Sequence, residues 1–289
     1  MNNCFSDILD NHKKKILSST STSEFWWCLD SSLSLIKTLL DNKRYICITD
    51  FLLNSECNKL HDEVLQAYND GLLSSPGSIS GGRKGDIHTK VNDVNIRNDT
   101  LGYFDGIEAD WPKGNGLKRA LDKINTLVFE LRDSMKDDDN ELKYIQTRSR
   151  AMITCYGGNG ARYTRHCDNP ISNGRKLTAI LYVNKNWNVD TDGGCIRLYE
   201  PHNSNSNAYV DIKPQFNSLL MFWSDTRCPH EVLPCYRNRF AITVWFIDSK
   251  EKQEADESQP ASDNINDNNT SDSNNVFANN NVTDVFELD

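Results

Sequence analysis

The stretch TRSRAMITCYGGNGARYTRHCDNP, residues 147–170, decides how the chain reads. Upstream of it apolar residues recur at helical spacing; from residue 147 they recur at every second position. The period of two continues through RKLTAILYVN (175–184), GGCIRLYE (193–200), AYVDI (208–212), SLLMFWS (218–224) and RFAITVWFID (239–248), separated by Gly, Asn, Pro and Asp turns. Short strands following a helical half predict a mainly β fold, a sandwich or barrel buttressed by helices.

Upstream, residues 25–146 read as a support region. FWWCLDSSLSLIKTLLDN (25–42) has near-helical apolar spacing, with Asp30 or Ser31 as the cap and Trp26 and Trp27 as core anchors. KRYICITDFL (43–52) reads as a strand. Asn54 is placed to cap a helix that carries Leu60, Val64, Leu65 and Tyr68 on one face and ends at Gly71. Residues 73–95 form a long Ser-, Gly- and Asp-rich loop around GGRKGD, and LKRALDKINTLVFELRDSMK (117–136) is an amphipathic helix. Residues 1–24 are polar and read as a flexible leader. Residues 251–289, rich in Asn, Asp and Ser, cannot bury enough apolar surface to offset their ordering entropy, so disorder is expected there.

The formal net charge of the 289 residues is -9, which repels a phosphate backbone, so no nucleic-acid partner is expected. The N-terminus lacks the basic and apolar regions of a signal peptide, and no apolar run reaches the roughly 18 residues of a membrane span. No membrane partner is expected. Nine cysteines without a CxxC spacing argue against a disulfide framework or zinc knuckle and fit a reducing cytoplasm or nucleus.

Within RYTRHCDNP (162–170), His166 and Asp168 stand two apart at the end of a strand-like segment, so both side chains point to one face and can reach one metal. Cys167 points away. His230, in SDTRCPHEVLP, is the expected third ligand. Two histidines and one carboxylate form a facial triad that binds Fe(II) and leaves positions open for a chelating cosubstrate and oxygen. Arg239 follows nine residues after His230, on a strand expected to run beside the His230 segment. There it can grip the far carboxylate of 2-oxoglutarate as a bidentate pair, with Tyr182 adding a phenol hydrogen bond. The plain alternatives are a surface ion pair for Arg239 and barrel packing for Tyr182. His12, His61, His88 and His202 have no partner at ligand spacing and read as solvated side chains.

MITCYGGNGARYTRHCDNP, GRKLTAILYVNKNW, GGCIRLY and LLMFWSDTRCPHEVLPCYRNRFAITVWFID together resemble the catalytic core of the hypoxia-inducible-factor prolyl hydroxylases, from Met152 to Asp248. The likeness extends more weakly through NIRNDTLGYFDG and the helix at 117–136. It implies a double-stranded β-helix, a jelly roll, as the dioxygenase core at 147–248. It also implies iron ligands at His166, Asp168 and His230, and 2-oxoglutarate contacts from Arg239 and Tyr182. Tyr156 matches the family's active-site tyrosine, and Thr243 and Trp245 match the pocket wall. Asp99 and Arg175 match a pair holding a mobile substrate loop, here about 80–106. Gly157 stands where the family commonly has proline, and Tyr103 where it has tryptophan.

The resemblance implies hydroxylation of a proline at C4 with O2 and 2-oxoglutarate, ascorbate restoring over-oxidised iron, and a role in oxygen sensing. The partner is then a protein carrying the target proline. The Asn-rich composition resembles protist chains, whose relatives act on the Skp adaptor of cullin-type ubiquitin ligases. A hypoxia-factor-like transcription factor is the alternative substrate. A catalytically inactive jelly-roll interaction module is the non-enzymatic alternative, and it would be expected to have a broken triad or a lost arginine. A nucleic-acid demethylase of the same fold disagrees with the acidic balance, and a secreted collagen-type hydroxylase would need a signal peptide.

Overall fold

The segment RFAITVWFID is apolar at nearly every position, a pattern a strand needs only when both of its faces are covered. In the computed structural model it is a ten-residue strand, buried throughout, at the centre of the larger sheet. The structure describes residues 6–19, 24–80, 90–134, 140–201, 208–258 and 285–287.

The elements in chain order begin with α1 (Ser6–Ser19), a 3-10 turn (Trp26–Cys28), α2 (Asp30–Lys43), β1 (Tyr45–Thr49), α3 (Asn54–Asn69), β2 (Ser75–Pro76), β3 (Ile79–Ser80), β4 (Lys90–Val91), β5 (Thr100–Phe104) and α4 (Gly116–Ser134). The β-rich half follows: β6 (Ile145–Ser149), β7 (Ala151–Tyr156), β8 (Ala161–His166), β9 (Arg175–Tyr182), α5 (Val189–Asp192), β10 (Ile196–Tyr199) and β11 (Tyr209–Ile212). It closes with β12 (Ser218–Trp223), β13 (His230–Cys235), β14 (Arg239–Asp248), α6 (Ser249–Glu257) and β15 (Val285–Glu287).

The larger sheet runs β1-β12-β9-β14-β7-β5-β2, with β6 also on β14 and β15 on β6; the smaller runs β11-β10-β13-β8. Every pairing between these strands is antiparallel. Two facing sheets of this kind make the jelly-roll core, with the helices on the outside of the larger one. Along β14 side chains alternate between faces. Phe240 and Phe246 meet the helical layer, packing edge-on against Tyr68 of α3 and Phe129 of α4. Arg239, Thr243 and Trp245 take the opposite face, toward the smaller sheet.

Several expectations change. The leader at 1–24 contains α1, whose Leu9 and Ile16 are buried and whose Lys13 Nζ donates to Thr49 O of β1 at 3.3 Å. Its two buried apolar residues are seven apart, too sparse to show as a helical stripe in a lysine-rich segment. No side chain caps α2, and Asn54 is the first helical residue of α3, not its cap. Residues 100–104 of the expected substrate loop are β5, paired with β7 and β2, while 81–89 lie outside the described residues. The 251–289 segment begins as α6, where the Asp248 carboxylate accepts from the Lys250 and Glu251 amides at 3.0 Å. Residues 259–284 and 288–289 lie outside the described residues, as do His88 and His202. His12 and His61 are half-buried and hydrogen-bonded, to Ser32 Oγ and Val183 O, and not freely solvated.

The eight described cysteines are free thiols. Among the described residues no helix is long and apolar enough to cross a membrane.

Glu63 of α3 joins the helical layer. Its buried carboxylate accepts from the Gly116 and Leu117 amides at the start of α4, at 2.6 and 2.9 Å, and from Trp111 Nε1 at 3.2 Å. A carboxylate suits the unsatisfied, partially positive N-terminus of a helix. Glu63→Ala leaves three donors without that acceptor and is expected to lower stability by about 3 kcal/mol. Urea unfolding at unchanged m-value measures the loss, and a stability within error of the parent would refute the role given to this carboxylate.

Candidate active site

Two of the expected metal ligands come from paired strands. His166 closes β8, His230 opens β13, and they are direct partners in the ladder. Asp168 lies two residues past the end of β8. Ligand atoms of the three side chains all lie within 4.8 Å of one another. His166 Nε2 is 3.8 Å, and His230 Nε2 3.9 Å, from Asp168 Oδ1.

Each imidazole is oriented by the carbonyl two residues before it in the chain. His166 Nδ1 donates to Thr164 O at 2.8 Å, and His230 Nδ1 to Cys228 O at 2.9 Å. A carbonyl can only accept, so both Nδ1 atoms carry a proton, and both Nε2 atoms are turned toward Asp168. Burial and the neighbouring His230 push the His166 pKa down to about 3, against the pull of Asp168, which leaves the ring neutral. Burial alone would raise the Asp168 pKa. His230, His166, Arg175 and the hydrogen bond from Thr178 outweigh it, so the carboxyl sits below its ordinary value. Thr178 Oγ1 donates to Asp168 Oδ2 at 2.7 Å. Two imidazoles and one carboxylate, converging from one side, fit a ferrous ion.

Arg239 opens β14 and is 1% exposed. Its Nε donates to Gly194 O at 2.8 Å and its Nη2 to the Tyr182 hydroxyl at 3.2 Å. Among the described residues no carboxylate pairs with it. Two of its five N–H donors are thus engaged and the rest are available to an anion. Burial pushes the Tyr182 pKa up to about 12, so the phenol keeps its hydrogen and can donate it while accepting from Arg239. Gly194, at φ 68°, allows β10 to approach this closely; a Cβ there would sit 2.8 Å from Cys235 Sγ and 3.0 Å from Arg239 Cδ. The expected placement of the Arg239 strand beside the His230 segment is corrected. β13 and β14 are consecutive but belong to opposite sheets, so His230 and Arg239 reach the interior from opposite walls.

Tyr156 pairs with Arg239 across β7 and β14, and the guanidinium lies 5.2 Å from its ring centroid. Burial raises the Tyr156 pKa well above the ordinary tyrosine value. Thr243 and Trp245 share the Arg239 face of β14. Trp245 packs with Leu101, Met152 and Ile247, and Arg175 stacks on its ring at 4.2 Å.

The expected Asp99–Arg175 pair does not form. Asp99 is buried in a bidentate pair with Arg97, at 2.6 and 2.8 Å, while Arg175 donates to Asp168 O at 3.3 Å. Two residues apart on one extended segment, Arg97 and Asp99 share a face, and the guanidinium fork matches the carboxylate. Arg97, Tyr163, Thr178 and Gly194 are the residues of this region that sequence reasoning passed over. The Gly193-Gly194 pair ahead of a strand was the one local signal; the others depend on strand register.

The 2OG-Fe(II) oxygenase superfamily domain matches residues 151–247. The chain is 33% identical over 262 residues to the hypoxia-inducible factor prolyl hydroxylase of Caenorhabditis elegans, which covers 85% of this chain and 34% of that protein. With prolyl hydroxylase EGLN3 of Mus musculus it shares 37% identity over 194 residues, 67% of this chain and 74% of that one. The chain therefore spans about a third of the worm relative and about three quarters of the mouse one. A solved prolyl hydroxylase from Trichoplax adhaerens, in complex with a hypoxia inducible factor oxygen degradation domain peptide fragment, superposes with a TM-score of 0.65 at 32% identity, covering 78% of this chain and 93% of that chain. The chain belongs to the hypoxia-inducible-factor prolyl hydroxylase family of Fe(II)- and 2-oxoglutarate-dependent oxygenases.

Proposed function

We propose that the chain is a prolyl 4-hydroxylase that uses O2 and 2-oxoglutarate to hydroxylate a proline in another protein, with a role in oxygen sensing. The observation that carries this is Arg239, a buried cation without a carboxylate partner among the described residues, on the sheet wall facing two histidines and an aspartate. A buried charge left unmatched costs several kcal/mol, and a dicarboxylate cosubstrate supplies the counter-charge.

In this reading His166, Asp168 and His230 hold Fe(II). The bound iron and 2-oxoglutarate supply oxygen activation coupled to decarboxylation of the keto acid to succinate and carbon dioxide. Arg239 and Tyr182 hold the carboxylate of 2-oxoglutarate remote from the metal, and the burial of both excludes water from that end. Tyr156, Thr243 and Trp245 wall the space in which the target proline is oriented. Arg175, between the Asp168 carbonyl and the Trp245 ring, steadies that wall. With the triad and Arg239 in place, the inactive interaction module is the weaker alternative.

For the protein substrate we propose the Skp adaptor of a cullin-type ubiquitin ligase, on the Asn-rich composition of the chain. A hypoxia-factor-like transcription factor is the second candidate, supported by the names of the relatives. Both substrates belong to the cytoplasm or nucleus. Purified chain with Fe(II), 2-oxoglutarate, ascorbate and either a Skp adaptor or a hypoxia-factor degradation-domain peptide is expected to add one oxygen to a proline, read by mass spectrometry. Modification of the peptide alone would discard the Skp assignment; modification of neither would count against the substrate class. His166→Ala and Asp168→Ala are each expected to abolish turnover, including decarboxylation without substrate. Full turnover by either would end the metal assignment.

Arg239→Ala is expected to raise the 2-oxoglutarate requirement by about 100-fold while leaving metal binding intact. Gly194→Ala should act in the same direction, more weakly, by pushing β10 off the guanidinium. Unchanged 2-oxoglutarate dependence in Arg239→Ala would remove the carboxylate role.

A further inference from the structure

β8 has an irregularity that bears on the site. Its pairing with β13 matches His166 to His230 and Tyr163 to Val232, so three steps on β8 run against two on β13. In a regular strand residues three apart point to opposite faces. The extra residue of this bulge reverses that and lets Tyr163 and His166 lie side by side. Their rings stack at 3.6 Å between centroids, tilted by only 17°.

The segment before β5 covers the other edge of β8. Thr164 N donates to Ile96 O at 2.9 Å, Asn98 N donates to Arg162 O at 3.3 Å, and Arg97 is bridged to Tyr163 itself. This backbone pairing brings the Arg97 guanidinium over the Tyr163 ring, 4.8 Å from its centroid. Besides the Asp99 pair, Arg97 donates to Ser78 O at 3.3 Å and to Met152 Sδ at 3.6 Å. Gly77 has no room for a side chain, because a Cβ would collide with both Asp99 and Arg97.

We infer that Arg97 and Tyr163 are positioning residues for the metal site: the clamped guanidinium holds the Tyr163 ring, and the ring holds the imidazole of His166 in its ligating orientation. The inference rests on the triad being the metal site. The hydrogen bond to Thr164 O fixes one direction in the imidazole plane, but a ring can still swing about it. A flat neighbour in van der Waals contact removes that freedom. The Arg97–Asp99 pair, the Tyr163 ring and His166 then form one continuous stack from the segment before β5 to the metal site.

Mn(II), titrated alone and followed by its free-ion EPR signal, tests this without turnover. The parent should bind one equivalent, and His166→Ala should not. Tyr163→Leu removes the flat face and is expected to weaken Mn(II) binding by about 10-fold. Tyr163→Phe keeps the face and should stay within about twofold of the parent. Arg97→Lys keeps a cation for Asp99 but loses the planar fork and is expected to weaken binding by about threefold. Parental affinity in Tyr163→Leu, with its melting temperature unchanged, would overturn the stack while leaving the triad standing. Equal loss in Tyr163→Phe and Tyr163→Leu would overturn it as well, since the hydroxyl would then matter and not the ring. Should Tyr163→Leu fail to fold, unchanged affinity in Arg97→Lys decides against the inference. A parent that binds no Mn(II) would overturn the triad itself.

Discussion

A guanidinium sealed inside a barrel, with no carboxylate among the described residues to pair it, has to be matched by something arriving from solution. Other buried arginines here show what the chain does when charge is structural. Arg97 is forked onto Asp99, and Arg148 is held by Asp105 at 2.7 Å and by Asn125 at 3.0 Å. Among the described residues, the hydrogen-bond partners of Arg239 are a carbonyl and a phenol. The fold is arranged to tolerate that. β14 is paired on both sides, all ten of its residues are buried, and Phe240 and Phe246 pin its far face to the helices. A strand held so firmly can keep a costly side chain pointed at the interior.

The strand-rich half was legible because its period of two is strong and its turns carry Gly, Asn and Pro at the breaks. His166 and Asp168 were legible for the same local reason. β13 was less so, since HEVLPC contains a proline and a glutamate, and only pairing with β8 and β10 makes it a strand. Non-local register hid the rest. It sets which sheet β13 joins, and hence the wall from which His230 reaches inward. It also decides that Asp99 meets Arg97 two residues away and not Arg175. Positional likeness to a family identifies which residues matter in a region, but pairing between them depends on the local path of the backbone.

The helical half was read as support, and its contacts with the site are indirect but specific. α6 was expected to be part of a disordered tail. Its Glu251 accepts from Asn169 Nδ2 at 2.9 Å, next to Asp168, and Asn169 N donates to Ser224 O at 2.8 Å. The loop that carries the carboxylate ligand is thus tied both to the end of β12 and to the first turn of α6. Such a helix leaves little mark in a sequence, because it is polar on every face and depends on its Asp248 cap for its start.

The groups that hold the triad are divided between the two walls. The histidines belong to the smaller sheet and take their orientation from the carbonyls two residues before them, Thr164 O and Cys228 O. The aspartate is held by Thr178 of β9, in the larger sheet, and Thr178 is within 2.8 Å of Ser224 Oγ. An ion coordinated by all three therefore links the sheets across the core. Metal affinity and sheet packing are then two measures of one geometry, and binding free energy becomes folding free energy. Phe222, packed edge-on against His230, is the apolar backing of that geometry.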